Sequence, residues 1–323
     1  MARDRRITLR HRMEYAAVRA AQAAICLMPA ALARAAGAFL GDVAFSVFRV
    51  RRRVVMKHLR RIFGGETSEE ELVAIARESY RNFGRMTFEY GRFPMLRLRD
   101  VERVVKLTGG AHLDDALAKG GGAILVASHF GNWELAATLA TMGYPLTFLV
   151  GEQHNILVDR LMNRLRERFG VQTVPVTGNL MGVLRALRNN RIVAMLSDQD
   201  AGRSGVFVDF LGEKASTPYG PARMSARTGA PLIPGVAVRE ERGRHELIIC
   251  PPVERPPADL PAEEQVRLLT QGYTSVFERF IRERPDHYFW MHRRWKTRPS
   301  EEATPADSRR TGPGPSTTTS AIR

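Results

Sequence analysis

The chain has 323 residues and a formal net charge of +15, so its surface seeks anionic partners: nucleic acid, anionic lipid or an acidic protein. At 44% hydrophobic residues it can build a substantial core, as one large or two small domains. The two cysteines, Cys26 and Cys250, stand outside any CxxC spacing, which argues against a disulfide scaffold or a cysteine-rich zinc site and fits a reducing compartment. No glycine-rich dinucleotide fingerprint and no P-loop occurs, so no motif points to a nucleotide cofactor.

Residues 1–61 carry 14 Lys and Arg against three acids, most of the positive excess. Within them, residues 16–48 form an Ala-rich apolar stretch interrupted by Arg19, Pro29, Arg34 and Asp42. Its longest charge-free run, 20–33, falls short of the roughly 20 residues that span a bilayer. The interruptions and the basic cluster that follows also differ from a secretory signal. The sequence predicts one or two helices lying in or on a membrane, with arginines against anionic headgroups; a single broken span and an ordinary packing helix are the alternatives.

Residues 68–90 open with a Ser68 cap and first-turn acids, then place Leu72, Ile75, Ala76, Tyr80, Phe83 and Thr87 at helical spacing. A strand is predicted over 101–107 and a short helix over 112–119, ending at Gly120-Gly121-Gly122. The apolar run 123–127 reads as a buried strand, and 134–142 as a helix. Strands at 145–150, 171–176 and 191–197 alternate with helices at 155–169 and 180–188, the signature of an α/β protein whose mostly parallel central sheet is flanked by helices. The basic face of 155–169 (Arg160, Arg164, Arg166 and Arg168) is either solvated or meets an acidic carrier protein. Two antiparallel strands, 236–239 and 246–250, surround a turn at 240–244. A proline-rich loop then leads to a long helix, 263–284. Basic and aromatic residues interleave over 285–296, a pattern suited to nucleic acid or to a lipid headgroup interface. From 299 to 323 almost no apolar residue remains, which predicts a disordered tail.

The chemistry concentrates around Ser128-His129-Phe130-Gly131-Asn132-Trp133-Glu134, with His129 at the C-terminal end of a strand, where open α/β sheets place their sites. A neutral imidazole can take a proton from a hydroxyl, and a carboxylate on its far nitrogen would fix the tautomer. With His129 in the turn and Glu134 in the first helical turn, the two side chains can meet. A histidine after a strand is equally at home as a structural hydrogen-bonder. A second polar cluster, Asp198-Gln199-Asp200 with Gly202 and Arg203, follows the strand 191–197; Asp198 and Asp200 can also serve simply to make the turn.

The string from Ser128 to Glu134 resembles the His-four-residues-acid motif of the lipid A biosynthesis acyltransferases, within the wider glycerolipid acyltransferase group. Three further blocks resemble that family in order: Asp198-Gln199 with Gly202 and Arg203, Thr217-Pro218 with Gly220, and Gly229-Ala230-Pro231 through Pro234. The basic-aromatic block at 285–296 is similar to the family's C-terminal signature, which favours lipid over nucleic acid. The resemblance covers roughly 15–298. It implies a membrane-anchoring segment (1–61), an acyltransferase domain (62–298) and the tail (299–323). It implies transfer of a fatty acyl chain from an acyl-carrier-protein thioester to a hydroxyl of a membrane glycolipid, a lipid A precursor, at the cytoplasmic face of a bacterial inner membrane, peripheral or single-span. His129 would be the base and Glu134 its orienting acid. Ser128, Gly131, Asn132, Trp133, Asp198, Gln199 and Arg203 would contact substrate, with no metal and no cofactor beyond the acyl donor. Another acceptor lipid, acyl-CoA as donor, or a non-enzymatic basic binding protein are the other expectations.

Overall fold

The computed structural model describes residues 7–176 and 180–299; the predicted tail from residue 300 and residues 1–6 of the basic segment lie outside them. Helix α1 (Leu9–Leu27) is capped by Thr8, whose Oγ1 accepts from the His11 amide at 3.2 Å. Pro29 has no amide to continue the helix, so the chain breaks there and restarts as α2 (Ala30–Ser46). Among the described residues no helix is long and apolar enough to cross a membrane. Two amphipathic helices follow: the basic α3 (Arg52–Phe63), and α4 (Glu69–Gly91) with a capping box between Ser68 and Glu71.

Helices α2 and α4 meet backbone to backbone. A Cβ on Gly84 would lie 2.0 Å from the Gly37 carbonyl oxygen, and one on Gly41 would lie 2.3 Å from that of Tyr80. The contact is sealed by Asp42 of α2, which takes Arg77 at 2.5 Å and Arg81 at 2.6 Å from α4. The Ala-rich stretch is therefore fixed to the rest of the molecule along one side, while Leu27, Leu32, Phe39 and Leu40 stay exposed on another.

Residues 101–107, expected as one strand, divide into a helical turn, α5 (Val101–Val104), and β1 (Val105–Thr108). The turn buries Val101 to 1% exposure, and that burial outweighs the strand preference of its valines. After α6 (Ala111–Ala118) come β2 (Ala123–Gly131), a 3₁₀ helix (Trp133–Met142), β3 (Leu146–Val150), α7 (Ile156–Glu167), β4 (Gln172–Pro175), α8 (Leu180–Arg188) and β5 (Ile192–Leu196). The hairpin β6 (Val206–Phe210) and β7 (Glu213–Thr217), α9 (Gly220–Thr228), β8 (Leu232–Arg239), β9 (His245–Ile249) and α10 (Ala262–Glu283) complete the order.

The seven-stranded sheet runs β1-β9-β8-β2-β5-β3-β4, with every pairing parallel except β8 with β9. Strand β2 is central and buried on both faces. Ile124 and Val126 face one apolar cluster, shared with α3, α4, α8, α9 and α10, while Ala123 and Leu125 face the other, under the 3₁₀ helix and α7.

The block 285–296 is not an interface. Trp290 is 1% exposed, Trp295 7% and Arg294 1%. Arg294 spans to the Ser216 carbonyl and the Thr217 hydroxyl, both at 2.5 Å, and lies over the Phe210 ring. The aromatics are core, and this arginine is the buried, hydrogen-bonded kind that ties the C-terminal segment to the β6–β7 hairpin. Arg293, in contrast, points outward.

Because α2 and α4 touch through backbone, Gly84→Ala must push the two helices apart. A loss of about 1–3 kcal/mol of stability is expected, the usual range for overpacking, read as a lower melting temperature. The same substitution at the exposed Gly65, where an added Cβ meets nothing within 4 Å, should leave the melting temperature almost unchanged.

Candidate active site

Strands β2 and β5 are parallel neighbours in register, Ala127 opposite Leu196, and the Ser197 amide donates to the Ala127 carbonyl at 3.1 Å. This sets Ser128 and His129 beside Asp198 at the sheet's C-terminal edge. β2 runs on to Gly131 with a shift of register past Ala127, so His129 sits within an irregular strand end. Gly131 has φ +59°, and a Cβ there would fall 1.7 Å from the Ala237 carbonyl oxygen, so no other residue fits.

The Asp198 carboxylate, 2% exposed, collects three hydrogen bonds. One oxygen accepts from the Ser128 hydroxyl and the His129 amide, each at 2.7 Å; the other accepts from His129 Nδ1 at 2.6 Å. Burial pushes this carboxyl up, but the His129 imidazole beside it and these hydrogen bonds outweigh burial and hold it below the usual carboxylate range. Burial in turn pulls His129 down, while the charge and hydrogen bond of Asp198 and the charge of Glu134 prevail and raise it. With Nδ1–H committed to Asp198, the lone pair of the neutral ring is on Nε2, where the Gln199 side-chain amide sits 3.3 Å away. The imidazole is walled by aromatic rings: Trp133 edge-on at 4.9 Å and Phe289 at 6.3 Å, both in turn against Phe83.

The expected hydrogen bond from the His129 ring to the Glu134 carboxylate is not made. Glu134 instead forms a two-pronged pair with Arg166 of α7, at 3.0 and 2.6 Å, with side-chain exposures of 8% and 12%. The carboxylate that orients His129 is Asp198, expected from sequence as a substrate contact; its burial leaves no face for substrate. The reason is the fold. The two strand ends are adjacent, while Glu134 turns away on the 3₁₀ helix toward the guanidinium of α7. A planar guanidinium matches a carboxylate at two points, which makes Arg166 the better partner.

Of the other predicted contacts, Ser128, Trp133 and Gln199 lie at the imidazole. Asn132 does not: it is fully buried, and its amide donates to Glu89 at 2.8 Å. Arg203 is exposed in the 3₁₀ turn Gly202–Ser204 and makes no hydrogen bond to the His129 cluster. Asp200 makes a turn, accepting from the Gly202 amide at 3.2 Å, and also holds both the amide and the hydroxyl of Thr297. Sequence reasoning missed Arg166, which it could not separate from the exposed Arg160, Arg164 and Arg168 on the same helix. It also missed the network in which Arg239 grips Glu89 at 2.6 and 2.8 Å. An inward-facing residue among four arginines gives its place away only through helical phase against Leu161 and Leu165. Among the described residues, no three His, Cys, Asp or Glu side chains gather as a metal site.

A mixed, mostly parallel sheet with a half-buried histidine on a buried aspartate at its strand ends defines an α/β enzyme whose acid–base centre stands at the sheet edge. The model of the bacterial lipid A biosynthesis acyltransferases matches residues 3–297. The chain is similar to the lipid A biosynthesis lauroyltransferase of Escherichia coli, 31% identical over 81% of this chain and 85% of that one. It is as similar to a phosphatidylinositol mannoside acyltransferase of Mycobacterium tuberculosis, 30% identical over 74% and 75%. The lipid A biosynthesis palmitoleoyltransferase of Escherichia coli is 29% identical over 83% and 86%. The chain belongs to the bacterial lipid A biosynthesis acyltransferase family, and it is an acyltransferase.

Glu134→Ala strands the Arg166 guanidinium in a buried position. A loss of about 3–5 kcal/mol is expected, the usual cost of breaking a buried pair from one side. Replacing both partners with apolar residues, as in Glu134→Leu with Arg166→Met, should recover most of the melting temperature.

Proposed function

We propose that the enzyme moves a fatty acyl chain from an acyl-carrier-protein thioester to a hydroxyl of a membrane glycolipid, a lipid A precursor in lipopolysaccharide biosynthesis. The observation that carries the mechanism is the Asp198–His129 hydrogen bond, which commits Nδ1 and leaves the lone pair on Nε2, beside the Gln199 amide. His129 Nε2 takes the proton of the acceptor hydroxyl as its oxygen forms a bond to the thioester carbonyl carbon. The carbon–sulfur bond then breaks, and the departing sulfur receives that proton from the imidazolium. Asp198 holds the tautomer and steadies the imidazolium. The Gln199 amide, beside Nε2, would donate to the carbonyl oxygen as charge develops there.

Three features support the partners. Arg160 and Arg164 of α7 and Arg168 at its C-terminal cap are exposed, which suits an acidic carrier. Arg203 stands free on the loop after Gln199, open to an anionic part of the acceptor. The exposed Leu27, Leu32, Phe39 and Leu40 of α1 and α2, with Val47, Phe48 and the arginines at 49 and 51–53, suit a helical pair lying on the inner leaflet from the cytoplasmic side. A second acceptor class is favoured by one observation: the phosphatidylinositol mannoside acyltransferase is as similar as the lauroyltransferase.

Purified enzyme in detergent, given a panel of acyl-carrier-protein and acyl-CoA donors with a lipid A precursor or a phosphatidylinositol mannoside, should acylate the former from the carrier protein. His129→Ala and Asp198→Asn should each cut the rate by about a thousandfold, within the range of a lost general base or a wrong tautomer. Transfer only to the mannoside would replace the acceptor, and full activity of His129→Ala would end the mechanism. Since the base must be neutral, the rate should rise with pH through a midpoint above the ordinary imidazole value of 6.5, because His129 is held up in the folded enzyme.

A further inference from the structure

Beside Asn132 and Leu135 lies a cavity of about 300 Å³, bounded by the start of α2, the end of α4 and the β8–β9 turn. Arg34, Arg92, Arg103, Arg242 and Arg244 stand around it. Arg92 is spent on the carbonyls that end α1, at 2.9 Å for Ile25 and 3.3 Å for Cys26, and Arg103 pairs with Asp100 at 2.9 Å. Arg34, Arg242 and Arg244 have no side-chain hydrogen bond or ion pair among the described residues. The turn that carries two of them is held in an unusual shape: Arg242 has φ +57° and Gly243 φ +77°. That shape lets the Arg34 guanidinium lie against Gly243 so closely that a Cβ there would meet its Cζ at 2.5 Å. Arg34 thus lies against the turn that Arg242 and Arg244 flank, and an anion bound there would meet guanidiniums that no carboxylate already holds.

The floor asks for more than an anion. Asn132 Oδ1 is fully buried and unpartnered, its Nδ2 being fixed on Glu89. His245 is 2% exposed; its Nε2 lies 3.4 Å from Glu89, a carboxylate it shares with Arg239, and its Nδ1 has no partner. Burial holds His245 low, so the ring is neutral, with one donor and one acceptor nitrogen. The one carboxylate at the floor, Glu89, is already taken by Arg239. Such unpaired buried groups are costly and are satisfied by a ligand that brings hydroxyls. Phe93, Leu96 and Leu135 give the cavity an apolar wall, and the exposed Leu27 and Leu32 flank the elbow at its mouth.

We propose that this cavity binds the headgroup of an anionic lipid that carries both a phosphate and ring hydroxyls, a phosphorylated sugar or polyol. The phosphate sits among Arg34, Arg242 and Arg244, the hydroxyls meet Asn132 and His245, and the lipid's apolar part leaves toward the elbow. Asn132 and Leu135 belong to the same turn and 3₁₀ helix as the His129 site, so an occupant here fixes the anionic end of the acceptor. In that respect the proposal rests on the glycolipid acceptor proposed above.

Equilibrium binding to the whole enzyme in neutral detergent tests this without turnover, so its failure and a failure of acyl transfer are told apart. The probes are dihexanoyl phosphatidylinositol, dihexanoyl phosphatidylcholine and free inositol 1-phosphate. Phosphatidylinositol should bind about tenfold or more tighter than either of the others, since phosphatidylcholine lacks the hydroxyls and net charge and inositol phosphate lacks the apolar part. Arg242→Ala with Arg244→Ala, both exposed and safe for folding, should weaken it about tenfold or more, while Arg185→Ala with Arg188→Ala, an equal loss of charge on the surface of α8, should not. Equal affinity in both double variants would overturn the site. Free inositol phosphate binding as tightly as the lipid would overturn the lipid headgroup.

Discussion

The Asp198 carboxylate receives three hydrogen bonds from two consecutive residues of β2, and it can do so only because β2 and β5 lie side by side and parallel. A single buried charge therefore joins two strand ends, fixes a side-chain tautomer and leaves the lone pair on the other ring nitrogen. In a region this dry, an unpaired carboxylate would be costly, so the histidine and the serine that surround it are required by the same physics that makes the pair useful. The register of the sheet, rather than any local turn, is what keeps the imidazole in place.

The acid of the five-residue motif has a different task. Glu134 anchors Arg166 and with it α7 against the turn that follows β2, so the motif joins the site to its scaffold. Its charge still reaches His129 through space and adds to the upward push on the imidazole. The two acids thus act at different ranges, Asp198 through a hydrogen bond and Glu134 through the field.

The glycine contact between α2 and α4 has an analogous role for the N-terminal part. Backbone approach at Gly37, Gly41 and Gly84 leaves no play between the helices, so the exposed apolar side of α2 is held in a fixed orientation relative to the sheet. A helix pair attached in this way carries its outward leucines and phenylalanines as a rigid face.

Much of the fold was legible in the chain because its signals are local. Ser68 and Glu71 announce the start of α4; alternating apolar runs and helical periods announce the α/β order; and the string around His129 marks the strand end that matters. Which carboxylate serves His129 was not legible. Asp198 is 69 residues away and reaches the ring through sheet pairing, whereas Glu134 is near in sequence and turned aside. The fate of 285–296 was hidden for the same reason: aromatics and arginines look alike whether they face a headgroup or a core, and only packing against the β6–β7 hairpin buried Trp295 and Arg294. The sequence by itself determined most of the elements, their order and the chemical groups available. The tertiary structure alone decided which of those groups touch, because hydrogen bonds and ion pairs depend on distances that close only when distant strands and helices pack.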